Sequence, residues 1–158
     1  MRRRALLAAA VAGATGPLAG CPTPPWGEIP EDVDGAEVTL RREHTGAFDP
    51  GDPAYRDAAV LLRALEADPP RLTVRGQVLA GARECYRVDL VEADLTRSRL
   101  LIRLTTEDDP DWEGDACPDV GEAHPYEVEI AFTAAPIPDR VEVRHGDETV
   151  LEEAVATG

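Results

Sequence analysis

In the stretch YEVEIAF, residues 126–132, bulky apolar side chains alternate with glutamates or alanine. Successive residues of a β-strand point to opposite faces, so this pattern predicts a strand with one face in the core and one in water. The same period of two recurs around residues 37–43, 72–78, 86–90, 99–104 and 141–143, and a turn at 145–148 leads into Val150-Leu151. One solvated face per strand is typical of antiparallel sheets, because parallel sheets are covered on both faces. We therefore predict mainly antiparallel β-structure.

One segment departs from this period. Between residues 54 and 65, apolar side chains recur at helical spacing after Asp52-Pro53, an N-cap residue followed by a proline suited to the first helical position. The prolines at 69–70 cannot continue a helix, so the predicted helix covers residues 53–67.

The predicted fold class is α+β and mainly β, with one antiparallel sheet of about six strands and one helix. The order of strand, helix and further strands resembles that of the cystatin-type fold. The alternative is a two-sheet β-sandwich in which the helix is an insertion at the edge. The sequence pattern is compatible with both architectures.

The N-terminus has the form of a secretory signal. Three arginines follow Met1, and an apolar run then covers residues 5–18. This run is shorter than the roughly 20 residues that a membrane-spanning helix needs. Residues 1–20 are therefore predicted to be a signal peptide, and Arg3-Arg4 with the following residues resembles a twin-arginine export signal.

Leu18-Ala19-Gly20-Cys21 resembles a lipobox, the processing site of bacterial and archaeal lipoproteins. The resemblance implies that a lipid is attached to the Cys21 thiol, which becomes the first residue of the mature chain. The implied location is the outer face of the cell membrane. Residues 21–36 are rich in proline and acid and predict an extended tether, and residues 37–158 predict a single extracytoplasmic domain.

The composition excludes several functions. The net charge is −15, all 16 basic residues are arginine, and no lysine is present for a Schiff base. A surface this acidic argues against a nucleic-acid partner. Ser98 is the one serine in the chain, and it does not lie in the Gly-x-Ser-x-Gly motif of a nucleophile elbow. The acidic, lysine-free composition and the lipobox together resemble the lipoproteins of salt-loving archaea, which implies adaptation to high salt.

Cys85 and Cys117 are the two cysteines that remain besides Cys21. An even number of cysteines in an exported domain predicts a disulfide between them. In the chain-entropy model, closing this loop would stabilise the fold by about 3–4 kcal/mol.

A metal site is the alternative use of one of these cysteines. His44, Cys117 and His124 resemble the two histidines and one cysteine of lipid-anchored blue copper proteins. Six residues separate Cys117 from His124, a longer spacing than that family shows, and no methionine after Met1 could serve as the axial ligand. We therefore predict no cofactor and expect the histidines to be scattered over the surface.

The acidic segment at residues 107–115 resembles part of a calcium-binding loop. Asp109, Asp111, Glu113 and Gly114 match positions one, three, five and six of that loop. Position twelve requires a bidentate glutamate but is Val120. A solvated acidic surface is therefore expected, and cation binding is left open.

The sequence contains no catalytic constellation that stands out from its 31 acidic residues. We therefore predict a membrane-anchored, non-enzymatic binding or accessory domain, held to the membrane through Cys21 and serving a cell-surface partner. The alternative function is a metal or redox protein of the copper type that transfers electrons.

Overall fold

The computed structural model describes residues 33–43 and 57–156 and arranges them in eight β-strands with no helix. The strands are β1 (Ala36–Arg41), β2 (Ala58–Ala64), β3 (Arg71–Ala80), β4 (Tyr86–Leu95), β5 (Arg99–Asp108), β6 (Glu122–Phe132), β7 (Arg140–His145) and β8 (Glu148–Ala154).

The strands form two four-stranded sheets. The first sheet has the order β1-β6-β3-β2, and all its neighbours are antiparallel. The second sheet has the order β4-β5-β7-β8, in which β5 and β7 run parallel and the other pairs antiparallel. The predicted mainly-β class is confirmed, and two packed sheets were the predicted alternative.

A single hydrophobic core lies between the two sheets. It is built from the alternating side chains of both, and its fully buried members include Leu72, Val128 and Ile130 of the first sheet and Leu100 and Ile102 of the second. Each of these residues is flanked along its strand by side chains that point outward. The period of two in the sequence therefore marks the inner face of each sheet.

The prediction of a helix at 53–67 is wrong for the described part of that range, which begins at residue 57. Ala58–Ala64 is β2, and each of its seven residues pairs with β3. The run Val60-Leu61-Leu62 is apolar on both faces of a strand, so it fits a helical period as well as an extended one. Leu61 is buried and Leu62 is 41% exposed, as alternate residues of a strand are. The single six-stranded sheet and its cystatin-like order are wrong as well.

Arginines connect the sheets at both open sides of the sandwich. Arg63 of β2 donates from Nε to the carbonyl oxygen of Val155 (3.1 Å) and from Nη2 to that of Ala154 (2.7 Å), just beyond and at the end of β8. On the other side, Arg42 donates from Nε to the carbonyl of Val88 in β4 (3.0 Å). These bonds satisfy carbonyl groups of the edge strands, which otherwise remain available for pairing with another chain.

The strand directions give the sandwich two distinct ends. One, here named the Gly35 end, contains Val33–Gly35 and the connections at 65–70, 96–98 and 133–139. The other, here named the disulfide end, contains the connections at 81–85, 109–121 and 146–147. Glu43 and Asp57 also lie at the disulfide end, since β1 ends there and β2 begins there.

Candidate functional site

The disulfide end carries the predicted cross-link. The Sγ atoms of Cys85 and Cys117 are bonded, which confirms the predicted pairing. Cys85, the residue directly before β4, is buried, and Cys117 lies in the connection at 109–121. The carbonyl oxygen of Cys85 also accepts the N–H of Asp109 (2.7 Å). The longest described connection is therefore held to the body of the domain at two points.

A cleft of about 320 Å³ opens beside this cross-link. It lies between the two sheets, because Arg42 and Pro125 line it from the side of β1 and β6, and Tyr86, Arg87 and Val88 line it from β4. Arg83, in the connection before β4, completes a set of three arginines in its wall. We call this site the arginine cleft.

Each arginine of the cleft is held through Nε. Arg42 bonds to the Val88 carbonyl through this atom, and its Nη2 is paired with Asp89. Arg87 donates from Nε to Asp89 (3.2 Å), and Arg83 donates from Nε to the Ala123 carbonyl (2.6 Å). In the described parts of the chain, the Nη groups of Arg83 and Arg87 have no hydrogen-bond partner. Four nitrogen atoms with hydrogens to donate are thus left at the cleft.

The cleft also contains two carboxylates and one aromatic ring. Glu43 and Asp109 line it, and Asp109 Oδ1 accepts the N–H of Asp111 (2.9 Å). The ring of Tyr86 lies directly over Gly81, where a Cβ atom would be 2.5 Å from the ring. Glycine at this position therefore allows the ring to lie against the backbone and to form one wall of the cleft.

His124 also lines the cleft, although it is only 4% exposed. Its Nε2 is hydrogen-bonded to the carbonyl oxygen of Gly81 (2.7 Å). Of the other two candidate copper ligands, Cys117 is bonded to Cys85, and His44 lies outside the described residues. A disulfide sulfur is not the thiolate that a copper site requires, so the intact cross-link removes the sulfur ligand of that alternative.

A second polar group at the disulfide end was not expected from the sequence. The hydroxyl of Tyr126 lies 2.8 Å from His145 Nε2, and the rings meet edge to face. His145 Nδ1 lies 3.7 Å from Asp57 Oδ2 and has no hydrogen-bond partner in the described structure. The tautomer with hydrogen on Nδ1 suits both neighbours, because it accepts from the tyrosine and faces the carboxylate. We call these three residues the Tyr–His–Asp array.

Burial governs the chemistry of this array. Tyr126 is 0% exposed, and burial, with the charge of Asp57 as a smaller cause, raises the pKa of its phenol far above the ordinary value. Burial also lowers the pKa of His145, although Asp57 acts in the opposite direction. The order of residues is that of a nucleophile, a base and an orienting acid. A substrate cannot reach the hydroxyl, however, so the array is not a nucleophilic site.

The expectation of surface histidines is therefore wrong for two of the three. His124 is 4% and His145 is 6% exposed. The burial of His145 could have been predicted from the sequence. His145 continues the alternation of Val141 and Val143, which places it on the inner face of β7. Gly76 supplies the space for the tyrosine, because a Cβ atom there would be 2.3 Å from the hydroxyl of Tyr126.

Two buried carboxylates on the outer faces of the sheets have a structural role. Glu127 accepts a hydrogen bond from Arg75 Nε at 2.6 Å. Glu142 accepts one from Arg144 Nε at 2.6 Å and another from Arg99, and the bond from Arg144 is the main cause that lowers the pKa of Glu142. Each carboxylate is fully engaged with arginines of its own sheet. We therefore assign neither to a binding site.

The acidic segment at 107–115 begins with the last two residues of β5 and continues into a turn and irregular chain. The turn is closed by a hydrogen bond from the N–H of Trp112 to the carbonyl oxygen of Asp109 (3.1 Å). The indole of Trp112 lies against Gly114, where a Cβ atom would be 2.5 Å from the ring. Glycine at 114 therefore leaves room for the indole.

In residues 33–43 and 57–156, no group of three or more His, Cys, Asp or Glu side chains could hold a metal ion.

A second depression, of about 300 Å³, lies at the Gly35 end between residues 34–35, 95–97 and 134–136. Its charged side chains are those of Asp34 and Arg97. It therefore lacks the set of guanidinium groups that distinguishes the arginine cleft.

The fold and site define a two-sheet β-sandwich with a disulfide and an arginine-lined cleft at the same end. Compared with protein families, curated proteins and solved structures, the chain shows no significant similarity to any of them. No helix in the described ranges has the length and apolar character needed to span a membrane.

Proposed function

We propose that the protein is a membrane-anchored lipoprotein whose β-sandwich is a non-enzymatic binding or accessory domain outside the cell. In this proposal the signal peptide at 1–20 is removed, Cys21 carries the lipid, and residues 22–36 form the tether. The acidic surface adapts the domain to high salt. Recognition takes place at the disulfide end, where the arginine cleft lies.

The observation that carries the proposal is the position of the chain where it enters the domain. Val33–Gly35, the last residues of the predicted tether before β1 begins at Ala36, lie at the Gly35 end of the sandwich. The arginine cleft lies at the opposite end of β6, a strand of 11 residues. At about 3.3 Å per residue, the two ends are about 35 Å apart. A tether that ends at Gly35 would therefore present the cleft on the side of the domain away from the membrane.

The point of attachment is firmly held. The carbonyl oxygen of Gly35 accepts three consecutive backbone N–H groups, those of residues 133–135, at 2.9–3.0 Å. The side chain of Thr133 donates to the same oxygen (3.1 Å). The end of the tether is thus fixed to the connection after β6 by four hydrogen bonds to one carbonyl oxygen.

The non-enzymatic part of the proposal is supported by the burial of the Tyr–His–Asp array. Its hydroxyl is inaccessible, and its imidazole and phenol are bonded to each other. The accessible polar groups of the arginine cleft are guanidinium and carboxylate groups, which are suited to holding a charged ligand. These groups favour binding over nucleophilic chemistry.

The anchor is tested by cell fractionation of a Cys21→Ala variant. We expect this variant to appear in the soluble or secreted fraction while the wild type stays in the membrane fraction, because the thiol that accepts the lipid is missing. Thr23→Ala, two residues further on, is the matched control and should stay with the membrane. A Cys21→Ala protein that remains firmly bound to the membrane would overturn the proposed anchor.

A further inference from the structure

The arginine cleft presents two forks of hydrogen-bond donors. Arg83 and Arg87 are each held through Nε, by the Ala123 carbonyl and by Asp89. Their Nη groups have no partner in the described residues, and both residues line the cleft. A guanidinium group pairs with a carboxylate or phosphate through two hydrogen bonds, and one carboxylate, with about four lone-pair sites, can accept from both guanidinium groups.

The same cleft disfavours a ligand that is negative throughout. Glu43 and Asp109 line it together with the arginines, and neither forms a salt bridge with a described residue. Asp89, which binds Arg42 and Arg87, adds a third negative charge behind the wall. The three arginines are therefore balanced by three carboxylates. A ligand with a positive group as well as a carboxylate would satisfy both sets of side chains.

The dimensions and walls of the cleft suit a small molecule. Its volume of about 320 Å³ is at the lower end of the range for ligand pockets, about 300–1,000 Å³. Tyr86 and Pro125 supply apolar wall area between the charged groups. The guanidinium groups are oriented before a ligand arrives, because backbone carbonyls or Asp89 already hold each Nε, and this lowers the entropy lost on binding.

We propose that the arginine cleft binds a small zwitterion of the free amino acid class, with its carboxylate on Arg83 and Arg87 and its ammonium group facing Glu43 and Asp109. This proposal rests on the binding function proposed above and names its ligand class. The side chain of the amino acid would lie against Tyr86.

The test is titration calorimetry of the full-length protein, purified from membranes in detergent. The probes are L-alanine and L-leucine, each compared with the acid that lacks the amino group, propionate and 4-methylpentanoate. Inorganic phosphate is a fifth probe. We expect saturable binding of at least one amino acid, about tenfold tighter than that of its matched acid, because the ammonium group adds a charge-assisted hydrogen bond.

Two variants separate the two poles of the site. Arg87→Gln should weaken the amino acid and its matched acid by a similar factor of about ten, because both ligands share the carboxylate. Glu43→Gln should weaken the amino acid and leave the matched acid unchanged or slightly tighter. Arg140→Gln, which removes an exposed arginine at the Gly35 end, is the control and should change neither affinity. The melting temperature of each variant shows that it is folded.

Several results would overturn the proposal. They are the absence of saturable binding for both amino acids, a matched acid that binds as tightly as its amino acid, tighter binding of phosphate, or equal binding by Arg87→Gln. None of these results would contradict the proposed membrane anchor, because the fractionation of Cys21→Ala is measured without any ligand. Failure of the anchor would in turn leave the calorimetry valid.

Discussion

The two ends of the sandwich satisfy their polar groups in different ways. At the Gly35 end, backbone meets backbone: the carbonyl of Gly35 accepts three N–H groups, and Thr96 N–H donates to the Arg99 carbonyl at 2.8 Å. At the disulfide end, a covalent bond holds the longest described connection, and side chains supply the polar contacts of the cleft. The Gly35 end thus uses its polar groups up within the backbone, whereas the arginines of the disulfide end retain donors for a ligand.

The largest effect that we expect concerns the disulfide end. The double variant Cys85→Ala/Cys117→Ala should lower the free energy of unfolding by about 3–4 kcal/mol, because the unfolded chain regains the entropy of an open loop. Urea denaturation at equilibrium measures this loss. Hydrogen exchange would show whether it is local, since protection should fall at residues 109–121 and persist at the Gly35 end. A loss below about 1 kcal/mol would show that the loop is held mainly by its other contacts.

At the Gly35 end, the addition of one methyl group should be enough to destabilise the domain. Gly35 has a φ of 79°, and a Cβ atom there would lie 2.6 Å from the backbone nitrogen of Ala135. Gly35→Ala should therefore cost about 2–3 kcal/mol, from left-handed backbone strain and from the displaced connection after β6. Thermal unfolding monitored by circular dichroism measures the loss.

Gly121→Ala is the matched control for Gly35→Ala at the other end of the sandwich. The nearest atom to a Cβ at this position is the carbonyl oxygen of Ala80, at 3.9 Å. The control should change stability by less than about 1 kcal/mol. Equal losses for the two glycine variants would contradict the tight attachment that distinguishes the Gly35 end.

The smallest effect that we expect is a pH dependence that originates at the disulfide end. Burial lowers the pKa of His145 below its ordinary value of 6.5, so the unfolded chain takes up a proton more readily than the folded chain. The contribution of His145 is therefore fully present above pH 6.5 and is lost as the pH falls below that value. Urea denaturation between about pH 5 and pH 8 measures how the free energy of unfolding depends on pH. This pH range lies above the titration range of most carboxylates.

His145→Gln should flatten this pH dependence, because glutamine does not titrate while its amide can still accept from Tyr126. Comparison of the slopes of the wild type and the variant isolates the histidine from the acidic residues of the surface. An unchanged slope in the variant would assign the pH dependence to other groups.

Much of the fold follows from local pattern. The alternation at 126–132 becomes β6, and the same period locates β1, β3, β4, β5 and β7, because one face of each strand must be apolar to enter the core. The turn before Val150-Leu151 locates β8. The count of cysteines correctly pairs Cys85 with Cys117. These features depend on residues near in sequence or on very few candidates.

The edge strand shows where local pattern is insufficient. The apolar run at Val60–Leu62 suits a helix or a strand equally well, and pairing of Ala58–Ala64 with β3 decides between them. The division of the strands into two sheets is also decided by pairing between strands. Whether β5 continues into the first sheet or pairs with β7 depends on partners about forty residues apart, which periodicity does not identify.

The arginine cleft shows the same limit for function. In the sequence, nothing distinguishes Arg42, Arg83 and Arg87 from the other arginines of this acidic chain. Charged residues usually indicate a solvated surface. Likewise, His145 meets Tyr126 only because two sheets face each other. The sequence by itself determined the strands other than β2, their inward faces and the disulfide, since these depend on periodicity and on a small count of cysteines. The tertiary structure alone decided the partners of β2, the buried array and the cleft, because each depends on side chains brought together from distant strands.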